Sequence, residues 1–245
     1  MIDLGTIAQF TAAVFFLVIG IRLLRLSLRT GEIPERLLGT YFVFAGLAYG
    51  VWQLQTYLEQ AWTGDPIDLL AWSLYAVGVI PFLHFSRVVF RPDSAWATWL
   101  VRLTTVSLVT GLTMWMVQAR EYYVLDNPWY WAVWLGYSIP CAWFAIEAFL
   151  CHASAKRRVR VGLCDHVIAN RYLLFGLFGV FEMLSCIVDV LSTSEAESAI
   201  VVTGFAIALG LFEILGIAIL ILAFFPPTSY QHWLESPTGA ESMKG

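Results

Sequence analysis

Charge is scarce in this 245-residue chain: 13% of its residues are Asp, Glu, Lys or Arg, against about 25% in a soluble globular domain. So little charge cannot cover a water-soluble monomer, and with 59% of residues hydrophobic part of the apolar surface must face lipid. Lysine is scarcer still. Lys156 and Lys244 lie outside every long apolar run, which removes the Schiff-base lysine that a retinal protein needs. The 4 histidines are scattered and no HExxH occurs, so a zinc-dependent intramembrane hydrolase is not indicated. The 4 cysteines, Cys141, Cys151, Cys164 and Cys186, show no CxxC or Cys/His ligand spacing; they read as small semi-apolar packing residues, not as a disulfide framework or metal site. GxSxG, P-loop and GxGxxG motifs are missing, and a net charge of −4 gives no reason to expect nucleic acid. No cofactor or metal is expected. Enzyme activity has no positive support, although a mechanism using acids alone stays open.

What the chain has is long apolar runs, and a mean hydropathy of +0.73. A bilayer core of about 30 Å takes about 20 apolar residues as helix, and helix is expected because a spanning backbone must satisfy its own hydrogen bonds. Seven stretches qualify: Leu4–Leu24, Leu37–Leu58, Ile67–Phe90, Trp96–Val117, Trp129–Cys151, Tyr172–Leu191 and Ala199–Phe225. The fourth is the weakest, since it holds Arg102, Thr104, Thr105, Ser107 and Thr110. The expected fold is therefore all-α, a polytopic bundle of seven transmembrane helices over residues 1–227, followed by a short flexible cytoplasmic tail, 228–245. The connections carry turn residues, among them Gly31 and Pro34, Gly64-Asp65-Pro66, Arg91-Pro92-Asp93, Asp126-Asn127-Pro128 and Pro226-Pro227. The first run has no basic residues before it and is long enough to span, which argues against a cleaved signal.

Cations set the orientation, because loops rich in Lys and Arg stay in the cytoplasm. Arg22, Arg25, Arg29 and Arg36 flank the first loop; Arg87, Arg91 and Arg102 the third; Lys156, Arg157, Arg158, Arg160 and Arg171 the fifth; Lys244 is in the tail. Of the 14 cations only Arg120 falls on the opposite side. The N-terminus is expected outside and the C-terminus in the cytoplasm, in a multi-pass cell-membrane protein. Trp62, Trp96, Trp99, Trp129, Trp131 and Trp233 lie near the ends of the runs, as an interfacial belt requires. Trp52, Trp72, Trp115, Trp134 and Trp143 lie deeper and read as packing residues.

Ionisable groups within a span are costly and each is a candidate site. Glu182 and Glu213 fall near the middle of the sixth and seventh runs, at matching depth on two helices joined by a short loop. Their surroundings echo each other, Phe181-Glu182-Met183-Leu184 against Phe212-Glu213-Ile214-Leu215. Two carboxylates at one depth in low dielectric repel if both ionise, so the pair holds a proton or shares a cation. Either they form a proton or cation site, or each acid hydrogen-bonds across helices to a hydroxyl or carbonyl. Asp189, two turns further on, would extend a polar path toward the outer face. A second cluster, His84, Arg87, Glu147 and His152, lies at inner helix ends. Glu147 would pair there with Arg87 or a first-loop arginine, unless all four merely sit at the headgroups. The basic run Lys156, Arg157, Arg158, Arg160, placed between the fifth and sixth helices, sets topology and attracts anionic lipid headgroups, with a cytoplasmic protein as a further partner. Gly204, Gly210 and Gly216 mark the seventh run as open to close packing or bending.

Two stretches, Arg29-Thr30-Gly31-Glu32-Ile33-Pro34-Glu35-Arg36-Leu37-Leu38-Gly39 and Asp165-His166-Val167-Ile168-Ala169-Asn170-Arg171-Tyr172, resemble motifs of an uncharacterised group of bacterial seven-helix membrane proteins. The resemblance implies a bacterial inner-membrane setting and no activity. Both stretches also read as capped helix starts. Three function classes follow. Seven spans, short loops and a basic inner face favour a receptor-like or sensory bundle, on topology alone. Glu182 and Glu213 favour a small proton- or cation-linked transporter or channel component. The third class is an accessory subunit or enzyme of a larger membrane complex.

Overall fold

The computed structural model describes residues 4–58, 65–118, 127–194 and 199–235, and every regular element among them is helical. The order is α1 (Leu4–Thr30), α2 (Ile33–Leu58), α3 (Asp65–Phe90), α4 (Ala95–Gln118), α5 (Pro128–Arg160), α6 (His166–Ser194), α7 (Ala199–Phe224) and α8 (Thr228–Glu235). Among the described residues six helices are long and apolar enough to cross a membrane, within α1, α2, α3, α5, α6 and α7. The fourth expected span forms a helix of 24 residues but is not among those six. Large apolar side chains cover the outside of the bundle, with Phe10, Leu103, Val106 and Ile146 each about 60% exposed. A soluble monomer does not tolerate so broad an apolar exterior. The chain folds as a helical, multi-pass membrane bundle.

Neighbours in sequence pack side by side, and α7 closes the ring against α1. Helix α5 also reaches α3, which leaves α4 on the periphery. An aromatic column fills the interior. Tyr41 of α2 stacks on Phe82 of α3 at 4.5 Å between centroids, and Phe82 meets Phe144 of α5 at 4.8 Å. Phe42 meets Phe178 of α6 and Phe224 of α7 at 6.2 and 6.0 Å. Where α1 meets α2 the backbones nearly touch: a Cβ on Gly20 would lie 2.7 Å from the Val43 nitrogen, and one on Gly39 3.0 Å from that of Leu24. Small residues permit such approach in lipid, where apolar burial does not drive helices together. Two of the glycines expected to do this on α7 do not: Gly204 faces open space, and Gly216 comes no nearer than 3.7 Å to Phe178.

Helices outrun the apolar stretches that announced them. Helix α1 continues to Thr30 rather than Leu24, and Gly31, at φ 75°, turns the chain while its N–H donates to the Ser27 carbonyl at 2.8 Å. Thr30 Oγ1 donates to Glu35 in the first turn of α2 at 2.6 Å. Helix α5 runs on to Arg160 rather than Cys151. Its end is a paired cap, with Leu163 N donating to the Arg158 carbonyl (2.9 Å) and Gly162 N to that of Val159 (3.0 Å), Gly162 taking φ 72°. Helix α6 starts at His166, six residues before the expected Tyr172, because Asp165 caps it through Oδ1 and the Val167 N–H at 2.9 Å. The first part of the expected tail, 228–235, is helical, and 236–245 lie outside the described residues. Pro226 and Pro227 end α7, after which α8 docks on α6, burying Leu234 and joining Asn170 Nδ2 to the Tyr230 hydroxyl at 2.6 Å. Eight residues would not stay helical alone; the contact with α6 holds them.

Candidate functional site within the bundle

Glu182 on α6 and Glu213 on α7 turn toward the bundle interior and lie within electrostatic reach of each other. Three tyrosines from the opposite wall face them. The Tyr75 hydroxyl of α3 donates to Glu182 Oε2 at 3.5 Å, a long bond. Tyr49 of α2 is the hydroxyl neighbour of Glu213, and Tyr41, one further α2 residue, lies beside Tyr75 with ring centroids 6.5 Å apart. Tyr41 and Tyr49 are eight residues apart, which places both on one face of α2. The second Glu213 oxygen, Oε2, is buried without a hydrogen-bond partner among the described residues. A buried acceptor left so costs free energy, which a proton on the carboxyl or a bound cation would remove.

An aromatic wall backs the cluster on the side away from the basic helix ends. Tyr49, Trp52, Trp72 and Tyr137 follow one another at 5.1–5.4 Å, and Tyr137 closes on Tyr75 at 5.1 Å. The Tyr137 hydroxyl donates to the Trp72 carbonyl at 3.0 Å, and Trp134 Nε1 to the Cys186 carbonyl at 2.9 Å. Trp52 and Trp72 are thus packing residues, as expected, that also wall the carboxyl pair. Sequence reasoning did not single out Tyr41, Tyr49, Tyr75 or Tyr137. Their signal was weak, since tyrosine in a span reads first as an interfacial residue. Asp189 shares a face of α6 with Glu182 at seven residues' spacing, about 10 Å by the helical rise, but none of the contacts that define the cluster includes it.

The second expected cluster is rearranged. Glu147 is buried on α5 and pairs with Arg91 at 2.7 Å, also accepting from Trp143 Nε1 at 3.3 Å. Arg91 follows α3, and the Glu147 carboxylate beside it holds its guanidinium still more firmly in the charged form. Arg87, one of the partners expected from sequence, leaves its Nε buried without a hydrogen bond among the described residues. One helical turn decides the difference, because Arg91 lies just past the end of α3, in the connection to α4, and its side chain reaches Glu147 of α5. His84 sits half-buried on α3. His152 does not join them: its Nδ1 meets the Ala169 carbonyl of α6 at 2.8 Å, and since a carbonyl only accepts, Nδ1 carries the proton. The basic run is also placed otherwise than expected. Lys156, Arg157, Arg158 and Arg160 occupy the last turns of α5 itself, where cations suit the negative end of the helix dipole.

None of the described His, Cys, Asp and Glu side chains gather as three or more in a metal-holding group. No protein family, no curated protein and no solved structure is detectably similar to this chain.

Proposed function

We propose that the chain is a small proton-linked membrane transporter or channel component, with Glu182 and Glu213 as its proton-carrying pair. The observation that carries this reading is a carboxyl pair from adjacent helices, met inside the bundle by tyrosine hydroxyls, with one carboxyl oxygen left without a donor. One shared proton satisfies that oxygen and relieves the repulsion of two like charges. A hard cation takes about six to eight oxygen ligands and would need every oxygen of the two carboxyls and two hydroxyls at once, whereas a shared proton needs two. The carboxyl pair therefore favours this reading over a sensory bundle, whose support is helix number and loop length. It also gives more to argue from than the accessory-subunit reading, which rests on no particular residue.

Several finer features belong to the same reading. Helix α4 makes the seventh crossing; Ser107 on it donates to the Ala132 carbonyl of α5 at 2.7 Å, which accommodates one of its polar side chains between helices. The N-terminus lies outside and the C-terminus in the cytoplasm, with the cation-rich helix ends inward. The setting is a bacterial inner membrane, on the two motifs at the starts of α2 and α6. The test is proton flux in proteoliposomes under an imposed pH gradient, read by an entrapped pH dye. Wild-type protein is expected to pass protons, and E182Q or E213Q to abolish the flux. Equal flux in wild type and both variants, or none in wild type under any monovalent ion, would end the proposal.

A further inference from the structure

A different part of the molecule presents a ligand site. Val18, Arg22, Arg25 and Arg29 recur on α1 at intervals of four, three and four residues, so they form one stripe along the helix. With Ile21 and Leu26 on its flanks, the stripe lines an outward-facing groove of ≈ 570 Å³. All three arginines are exposed. The ion pair found among the described residues is that of Arg91 with Glu147, so no carboxylate is paired with any of the three. The nearby Glu35 is occupied by Thr30.

The level of the stripe is fixed from a neighbour. The Arg22 guanidinium lies 4.2 Å above the Phe225 ring, at the point where α7 ends and Pro226-Pro227 turn the chain into α8. Arg22 is thus level with the end of a spanning helix, and Arg25 and Arg29 lie about 4.5 and 10 Å further out along α1. That interval is the depth of lipid phosphates, with Val18 and Ile21 below it at acyl-chain depth. A guanidinium stacked on a ring keeps its N–H edge free, and that edge matches a phosphate through two parallel bonds.

We infer that this face of α1 is a binding site for one anionic glycerophospholipid, its phosphate held among Arg22, Arg25 and Arg29 and its acyl chain lying along Val18 and Ile21. Charge selects the lipid. Three unpaired cations leave a surplus that an anionic headgroup neutralises, whereas a zwitterionic lipid would bring a further cation against them. Topology alone would be served by arginines on any face; here all three share one exposed face of α1.

The test is retention of lipid by the full chain, measured by native mass spectrometry after incubation with phosphatidylcholine vesicles doped with phosphatidylglycerol. Wild type is expected to keep one phosphatidylglycerol and no phosphatidylcholine. R22Q/R25Q/R29Q should weaken that retention by about a hundredfold, taking the contribution of each basic residue near a lipid surface as roughly fivefold. R171Q, which removes an exposed arginine near the start of α6, should leave it unchanged. If the triple variant does not fold, by circular dichroism and elution profile, R25Q alone should cost about fivefold. Four results would overturn the site: unaltered retention in the folded arginine variants, equal retention of phosphatidylcholine, release of the lipid by inorganic phosphate alone, or lipid-independent dimers of wild type that R22Q/R25Q/R29Q abolishes.

Discussion

Single side chains decide how polar atoms are accommodated away from water. Tyr75 is informative because it donates to Glu182 from a helix two elements removed in the ring. Y75F removes that hydroxyl and keeps the ring contacts with Tyr137 and Trp52. The expected outcome is proton flux lowered by about tenfold, the effect of a lost hydrogen bond to a charged group, in protein that is still extracted as a monodisperse species. Unchanged flux would remove Tyr75 from the site. At the other cluster, R91Q should lower the melting temperature, because it strips the buried Glu147 of its cation, while R36Q on an exposed position should not. Equal melting of the two variants would show that the Glu147 pair contributes nothing to stability. The two glutamates were legible in the sequence, since an acid in an apolar run stands out by cost alone. Their tyrosine partners were not, because a tyrosine carries no such cost and its inward aim depends on how α2 and α3 are rotated. The Arg87 expectation failed for a similar reason: spacing along α3 says nothing about where the chain points once the helix has ended.

Helices in this molecule obey local chemistry at their ends and apolar content in their middles. The middles of all seven long helices were readable as apolar runs. Their ends were not, because hydropathy falls at the membrane boundary while the backbone goes on coiling until something stops it. Gly162 stops α5 nine residues after the apolar run fails, and Asp165 starts α6 six residues before the next one begins. Helix α8 was hidden because its fold depends on α6 and not on its own composition. At the α1–α2 seam, G39L should force the helices apart, since even a Cβ there meets the Leu24 backbone at 3.0 Å. The expected readout is loss of monodisperse protein on extraction. G204L, where the structure leaves open space, should be extracted like wild type; the reverse ranking would contradict the seam.

Taken whole, the bundle presents an apolar exterior, a ring closed by α1 and α7, and cations gathered at one end. Composition alone was enough for the first of these, because no soluble arrangement can hide so much apolar surface. Ring closure depends on contacts between chain ends far apart in sequence, which no local pattern encodes. The proposed orientation is open to direct measurement: a cysteine placed at Arg157, in a chain otherwise lacking cysteine, should resist a membrane-impermeant maleimide in intact cells and react once the membrane is opened. Labelling from the medium would invert every inside and outside assigned above.

Helix α5 has a mechanical consequence. At 33 residues it is about 50 Å long, well beyond a hydrocarbon layer of about 30 Å. Pro140 sits within it, deprives the Gly136 carbonyl of its amide partner, and is the natural pivot of the rod. From Pro140 to Arg160 the arm is about 30 Å. A swing of about 5° at that pivot, a small bend for a proline-containing helix, carries the far tip through about 2.5 Å. Small rearrangements beside Tyr137, one turn from the pivot, are therefore magnified where the basic tip stands clear of the bilayer.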